Sequence, residues 1–283
     1  SFCILNTPPI VWQQSYLNWL EHEGGEVDHS DIKSHFLELV SRLAHFLKIP
    51  LPARMEDLEV YTCGDLSFLE RLEDERIFGK RELGRIKKQI QASESYYIPR
   101  EKIVYLANLS INHVAEEGVH YLRFLINGLE PQRKTVDRFY AEILQEAFGF
   151  FGSKILNHKR KCLHEKDYQR LVQYLQSIER NKKKEVELET ALLVLDHREN
   201  DREGEPIAYQ RFLSRPPEVF SGLARALGAM LGDKMYYALL EDRISKKELR
   251  EAFRDPVRGE GEPFWAYLRL VHRVRGVKIP RRV

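Results

Sequence analysis

The stretch Ile111-Asn112-His113-Val114-Ala115-Glu116-Glu117-Gly118-Val119-His120-Tyr121-Leu122-Arg123-Phe124-Leu125-Ile126 decides how this chain is read. Ile111, Val114, Ala115, Val119, Tyr121, Leu122, Leu125 and Ile126 recur with helical spacing and gather on one side. That is the pattern of a helix that buries one face. Opposite them stand His113, Glu117 and His120, at spacings i, i+4 and i+7, so the three side chains stack along a single face. Phe124 follows on that same face. A large aromatic there implies that another element packs over the stripe, and polar groups so covered need partners.

Three readings of the stripe fit the residues. Two imidazoles and a carboxylate are the ligand set of catalytic zinc and non-haem iron, so His113, Glu117 and His120 are candidate ligands for a divalent metal, Fe or Zn. The following helix is apolar nearly all round from Phe139 to Leu156 and carries Glu142 and Glu146, which are candidates to complete the shell. Glu116 is then the spare general base, with the metal activating water or dioxygen. Glu117-x-x-His120 facing Glu142 or Glu146 resembles half of a ferritin-like carboxylate-bridged site, but the second Glu-x-x-His is absent. His-Glu-x-x-His does not occur, so the stripe is not that of a zinc protease. The second reading is a buried ion-pair network, with Lys154, Arg123 and Arg138 as counter-charges. The third is a plain solvated face, flanked by Glu116, Arg123 and Asn127.

Working outward, helical periodicity predicts further helices from about 28 to 47, 80 to 92, 135 to 156, 165 to 180, 184 to 198, 217 to 241, 246 to 254 and 263 to 274. Ile49-Pro50-Leu51-Pro52 stops the first of them. Ser67-x-x-Glu70 and Ser245-x-x-Glu248 have capping-box spacing. Leu58 to Thr62 reads as a short strand. Tyr96-Tyr97-Ile98 and Ile103 to Leu106 read as a small β-hairpin near 96–106. The expected fold class is therefore mainly α, a multi-helix bundle-like array with one small β insertion. Residues 1–25 read as the tail of a missing N-terminal α/β domain, because Phe2 to Leu5 is an apolar run stopped by Pro8-Pro9. Residues 26–200 read as the main helical domain and 201–283 as a C-terminal helical subdomain, divided at the charged, proline-bearing loop 199–217. An ordinary long surface loop there fits equally well.

Bulk properties narrow the function classes. Of 283 residues, 43% are hydrophobic and 31% charged, ordinary for a globular chain. The net charge of +2 argues against nucleic acid as a general partner. The apolar runs are too short for a membrane span. Three scattered cysteines, Cys3, Cys63 and Cys162, point to a reducing, cytoplasmic setting, although a lost signal peptide is compatible with a missing N-terminus. His158-Lys159-Arg160-Lys161 suits a helix C-terminus, whose free carbonyls attract cations. The basic tail from Arg269 to Val283 reads as a solubilising end or a contact for an anionic partner. His35, Glu38, Arg42 and His45 read as a solvated or helix-contact face. Gly149 to Lys154 lacks the spacing of a phosphate loop. Ala224, Gly228 and Gly232 repeat every fourth residue, a close helix contact inside the fold or the face of a homodimer.

Asn6-Thr-Pro-Pro-Ile-Val-Trp-Gln-Gln-Ser-Tyr-Leu-Asn-Trp-Leu20, the Glu116–His120 segment and Leu227-Gly-Ala-Met-Leu-Gly-Asp-Lys-Met-Tyr236 resemble helical C-terminal extensions of uncharacterised bacterial ChaN-like proteins of the Tiki superfamily. The resemblance implies a preceding α/β domain that carries the family's functional residues, none of which fall in this chain. Two functions follow as expectations. One is a helical accessory or interaction region of a larger bacterial protein, working with its missing N-terminal domain or a protein partner. The other is a metal-dependent helical enzyme.

Overall fold

The computed structural model describes residues 16–18, 29–51, 55, 57–62, 65–75, 78–91, 95–98, 102–128, 135–158, 160–162, 217–254 and 262–275. In chain order they form α1 (His29–Phe46), β1 (Glu59–Thr62), α2 (Ser67–Asp74), α3 (Lys80–Gln91), β2 (Tyr96–Ile98), β3 (Ile103–Leu106), α4 (Ile111–Asn127), α5 (Thr135–Leu156), α6 (Pro217–Leu240), α7 (Lys246–Arg254) and α8 (Glu262–Arg275). The chain is mainly helical, as expected. The helices expected at 165–180 and 184–198 and the loop at 199–217 lie outside the described residues, except Pro217, which opens α6. The chain divides into two compact units: residues 1–129 with 152–160, and residues 130–151 with 161–283. The division falls within α5, after Phe151.

In the first unit, the expected hairpin is the antiparallel pair β2–β3, with Tyr96 opposite Tyr105 and Ile98 opposite Ile103. β1 adds a third strand, parallel to β3, pairing Glu59 with Ile103 through Thr62 with Leu106. β3 is thus central and buried at all four positions, because helices cover both of its faces. Ile103 and Tyr105 join Phe68, Leu69 and Leu72 of α2 and Leu83, Ile86 and Ile90 of α3 in one core cluster. Side chains alternate across a strand, so in β2 Tyr97 leaves the face of Ile98 and stacks edge-on against Tyr121 and Phe124 of α4, 5.5 and 5.3 Å away. Phe36 of α1 meets the same Tyr121. α1 and α4 cross closely at Gly118, where a Cβ would stand 3.0 Å from Leu39 Cδ2.

Two local signals are resolved differently from one another. Ser245 and Glu248 form the expected capping box: the Ser245 hydroxyl accepts from the Glu248 N–H at 3.2 Å, and the carboxylate accepts from the Ser245 N–H at 2.8 Å. Ser67 does not cap α2. Asp65 accepts from both the Ser67 N–H and its hydroxyl, at 3.0 and 2.7 Å, and so draws Ser67 into the first turn and leaves Leu66 as the cap.

In the second unit, α6 lies against α5 through its glycines. A Cβ on Gly228 would meet Glu146 Cβ, and would come 2.8 Å from the Ile143 carbonyl oxygen. One on Gly232 would meet the Ala147 carbonyl oxygen, and would come 3.0 Å from Phe151 N. Only glycine admits a neighbouring backbone that close. The stripe of Ala224, Gly228 and Gly232 is therefore buried inside the fold, the first of the two readings offered for it. Phe148 stacks on Phe253 of α7, and Tyr140 on Tyr267 of α8. Arg269 pairs with Glu262 at 3.7 Å, and Arg273 donates to the Glu248 carbonyl at 3.3 Å, so these two arginines of the basic C-terminal stretch are engaged within their own unit.

Gly84 of α3 is a contrast. It is exposed, and no atom lies within 4 Å of where its Cβ would be. A mid-helix glycine costs about 1 kcal/mol relative to alanine, and no contact among the described residues requires it. Opposite outcomes are expected for the two kinds of glycine. In urea unfolding, Gly232→Val should lose about 2–3 kcal/mol through overpacking, while Gly84→Ala should gain about 0.5–1 kcal/mol.

Candidate functional site

α4 begins at Ser110, whose extended backbone and side-chain oxygen cap the helix by accepting the His113 N–H. The same hydroxyl stands 3.2 Å from His113 Nδ1, so the first member of the stripe is tied to its own helix start. The helix ends at Gly128, with φ of 74°, a backbone conformation that favours glycine.

One turn on from the cap, Glu116 accepts from Arg160 Nη1 at 2.6 Å. Arg160 follows α5, and its guanidinium also donates to the Ser153 hydroxyl. Lys154, 3% exposed, donates from Nζ to the Arg160 carbonyl at 2.6 Å. Asn157 donates to the Asn112 side-chain oxygen at 3.2 Å. Below this layer Gly152 admits Val119, because a Cβ there would collide with the Val119 side chain. The end of α5 and the residues after it are thus laced to the polar face of α4. Burial of Ser153 and Lys154 is tolerated only because each has a partner there.

The candidate ligands are distributed as follows. His113, Glu117 and His120 stand half-buried on α4 in the first unit. Glu142 and Glu146 stand on the part of α5 that belongs to the second unit. Glu142 accepts from Arg138, four residues back on its own helix, at 2.8 Å. Among the described residues, no three His, Cys, Asp or Glu side chains come together as a group that could hold a metal ion. Glu116, expected as a spare base, is held in an ion pair from outside its own helix. Of the expected counter-charges, Lys154 reaches a carbonyl and Arg138 pairs with Glu142. The partner is Arg160, which the sequence places in a basic run at a helix end. Phe124 does lie under another element, as expected, and that element is β2.

A second polar cluster has no signal in the sequence, since Arg71 lies on a different element from Glu59 and Tyr61. Glu59 of β1 accepts from Arg71 of α2 at 2.9 Å and from the Tyr61 hydroxyl at 2.6 Å. Partial burial pushes the Glu59 pKa up, but the hydrogen bonds from Arg71 and Tyr61 outweigh it, and the carboxyl ends below its ordinary value. Burial and the same bond push Tyr61 up to about 12. Elsewhere, Glu38 and Arg42 pair along α1 at 2.6 Å, as a partly solvated helix face would.

Comparison of the chain with protein-family models, with curated proteins and with solved structures finds no match. Among the described residues, no helix is long and apolar enough to cross a membrane.

Two outcomes follow. The Glu116 and Arg160 side chains are only 24% and 16% exposed, so breaking the pair strands a largely desolvated charge. Arg160→Met and Glu116→Gln should each lower unfolding stability by about 1–3 kcal/mol. The double variant should lose less than the sum. Because the Glu59 pKa is depressed on folding, its contribution is present at neutral pH and fades as pH falls through the folded value. Glu59→Gln should therefore be less stable than the parent near neutrality and converge with it in acid, as read from urea midpoints across pH.

Proposed function

We propose that this chain is a helical interaction region of a larger protein, and that the polar face of α4 holds its fold together. The observation that carries the reading is the engagement of Glu116 by Arg160, with Arg160 bound in turn to Ser153. The carboxylate best placed to act as a base is already committed to a mostly buried guanidinium. An aromatic lid of Tyr97 over Phe124 and Tyr121 covers the same helix from the sheet side. These are the features of a rigid frame that presents its outer surfaces. The likeness to helical extensions of bacterial ChaN-like proteins supports an α/β domain as the neighbour this region serves.

Elemental analysis of the purified protein and of His120→Ala tests the reading. It expects sub-stoichiometric metal in both and unchanged far-UV circular dichroism in the variant. Near-stoichiometric iron or zinc that disappears with His120→Ala would overturn it in favour of a metal-dependent enzyme.

A further inference from the structure

α3 is built in a way its own fold does not explain. Its inner face is apolar and fully used: Leu83, Ile86 and Ile90 lie in the core with α2 and the sheet. Its outer face carries Lys80, Arg81, Arg85 and Lys88, all exposed, set around the exposed Gly84. Helical geometry puts these five positions on one side, opposite the apolar stripe. The helix holds five cations against the single carboxylate of Glu82, in a chain whose net charge is only +2. Arg85 reaches Glu82 at 4.0 Å, the outer limit of an ion pair. Lys87, at the flank, is bound to Glu73 of α2 at 2.6 Å.

Three features of this face oppose the helix that bears it. Arg81 and Arg85 are like charges at i, i+4, and Arg85 and Lys88 at i, i+3, where like charges repel. Lys80 and Arg81 occupy the first turn, where the helix dipole disfavours cations. Gly84 weakens the middle of the helix, and nothing among the described residues takes up the space it leaves. Repulsion and an unfilled notch are both relieved by one kind of visitor, a backbone that approaches at Gly84 while bringing negative charge to its flanks.

We propose that the outer face of α3 docks an acidic helical segment of a protein partner, with the partner backbone passing over Gly84 and its carboxylates pairing with Arg81, Arg85, Lys88 and Lys80. Carboxylates at i, i+4 and i+7 on a facing helix match the spacing of Arg81, Arg85 and Lys88. A long nucleic acid fits less well. The patch is one short helix, and the Lys87–Glu73 pair brings the acidic end of α2, with exposed Glu70, Glu73, Asp74 and Glu75, to its border. The face also has no aromatic side chain to stack on a base, and no exposed apolar side chain to enter a membrane. The inference rests on the interaction-region reading above and names a partner chemistry and a face for it.

The test uses the full chain and a synthetic alanine-based helical peptide with glutamates at i, i+4 and i+7. A scrambled peptide of the same composition serves as control, and fluorescence anisotropy as readout. Saturable binding that weakens as salt is raised is expected, at least tenfold tighter than for the scrambled peptide. The double variant Arg81→Glu/Arg85→Glu should lose it at least tenfold. Gly84→Ala should melt higher than the parent and yet bind several-fold more weakly, a combination that a merely structural glycine would not give. Failure of the patterned peptide to bind overturns the proposal, as does binding that survives both variants. Tighter binding of duplex DNA or of anionic phosphatidylserine vesicles than of the peptide also overturns it, in favour of those partners. Metal content is untouched by any of these variants, so this inference and the reading it rests on fail separately.

Discussion

The first unit depends on the bond between Glu116 and Arg160. Glu116 sits in the second turn of α4, and Arg160 sits four residues beyond α5, so their pairing closes a long stretch of chain. The bond also organises its neighbours: Ser153 is buried because the same guanidinium takes its hydroxyl, and Lys154 is buried because the Arg160 carbonyl accepts its ammonium. A network of this kind adds little net stability over an apolar equivalent, yet loses much when one member is removed. Its effect is selective. It allows one register of the end of α5 against α4 and leaves any slipped register with stranded charges.

Glycine sets the second constraint. At Gly118, Gly152, Gly228 and Gly232 the space of a missing Cβ is filled by another helix, by side chain in the first unit and by backbone in the second. Each gives up helix propensity for close approach, and the packing offsets the loss. Gly84 makes the same sacrifice with no compensation among the described residues. That asymmetry separates the helical glycines that pack this protein from a helical glycine that faces outward.

Much of the fold is legible in the residues themselves. α4, α5 and α7 run where periodicity puts them, because each has a long apolar stripe or strong end signals. The hairpin and the short strand at Glu59 are legible from β-branched and aromatic runs. The parallel pairing of β1 with β3 is not, since nothing local encodes a partner so far along the chain. On α4 the periodic pattern points one position away from the line that is engaged. It draws attention to His113, Glu117 and His120, while the contacts that join α4 to the end of α5 and the residues after it fall on the adjacent line of Asn112 and Glu116. A helix of about 3.6 residues per turn lets either line look like a face, and only the position of Arg160 decides between them. Arg160 itself is hidden in a run of cations, where a helix-end role explains it too readily. At α2 the spacing Ser67-x-x-Glu70 is present, but Asp65 two residues earlier is the stronger acceptor.

The sheet carries a consequence in time. β2 ends at Ile98 and β3 begins at Ile103, so the two are near neighbours in sequence and can find each other by local closure, within microseconds for an ordinary hairpin. β1 must wait for Ile103 to Leu106 to exist as a strand, and its parallel pairing closes a loop that holds α2, α3 and β2. Non-local closure of that kind is slow, because chain entropy is lost before any contact compensates for it. The core beneath α2 and α3 therefore depends on a closure that the hairpin does not need. Without β1 in place, the edge of β3 that it covers would stand open to other strands.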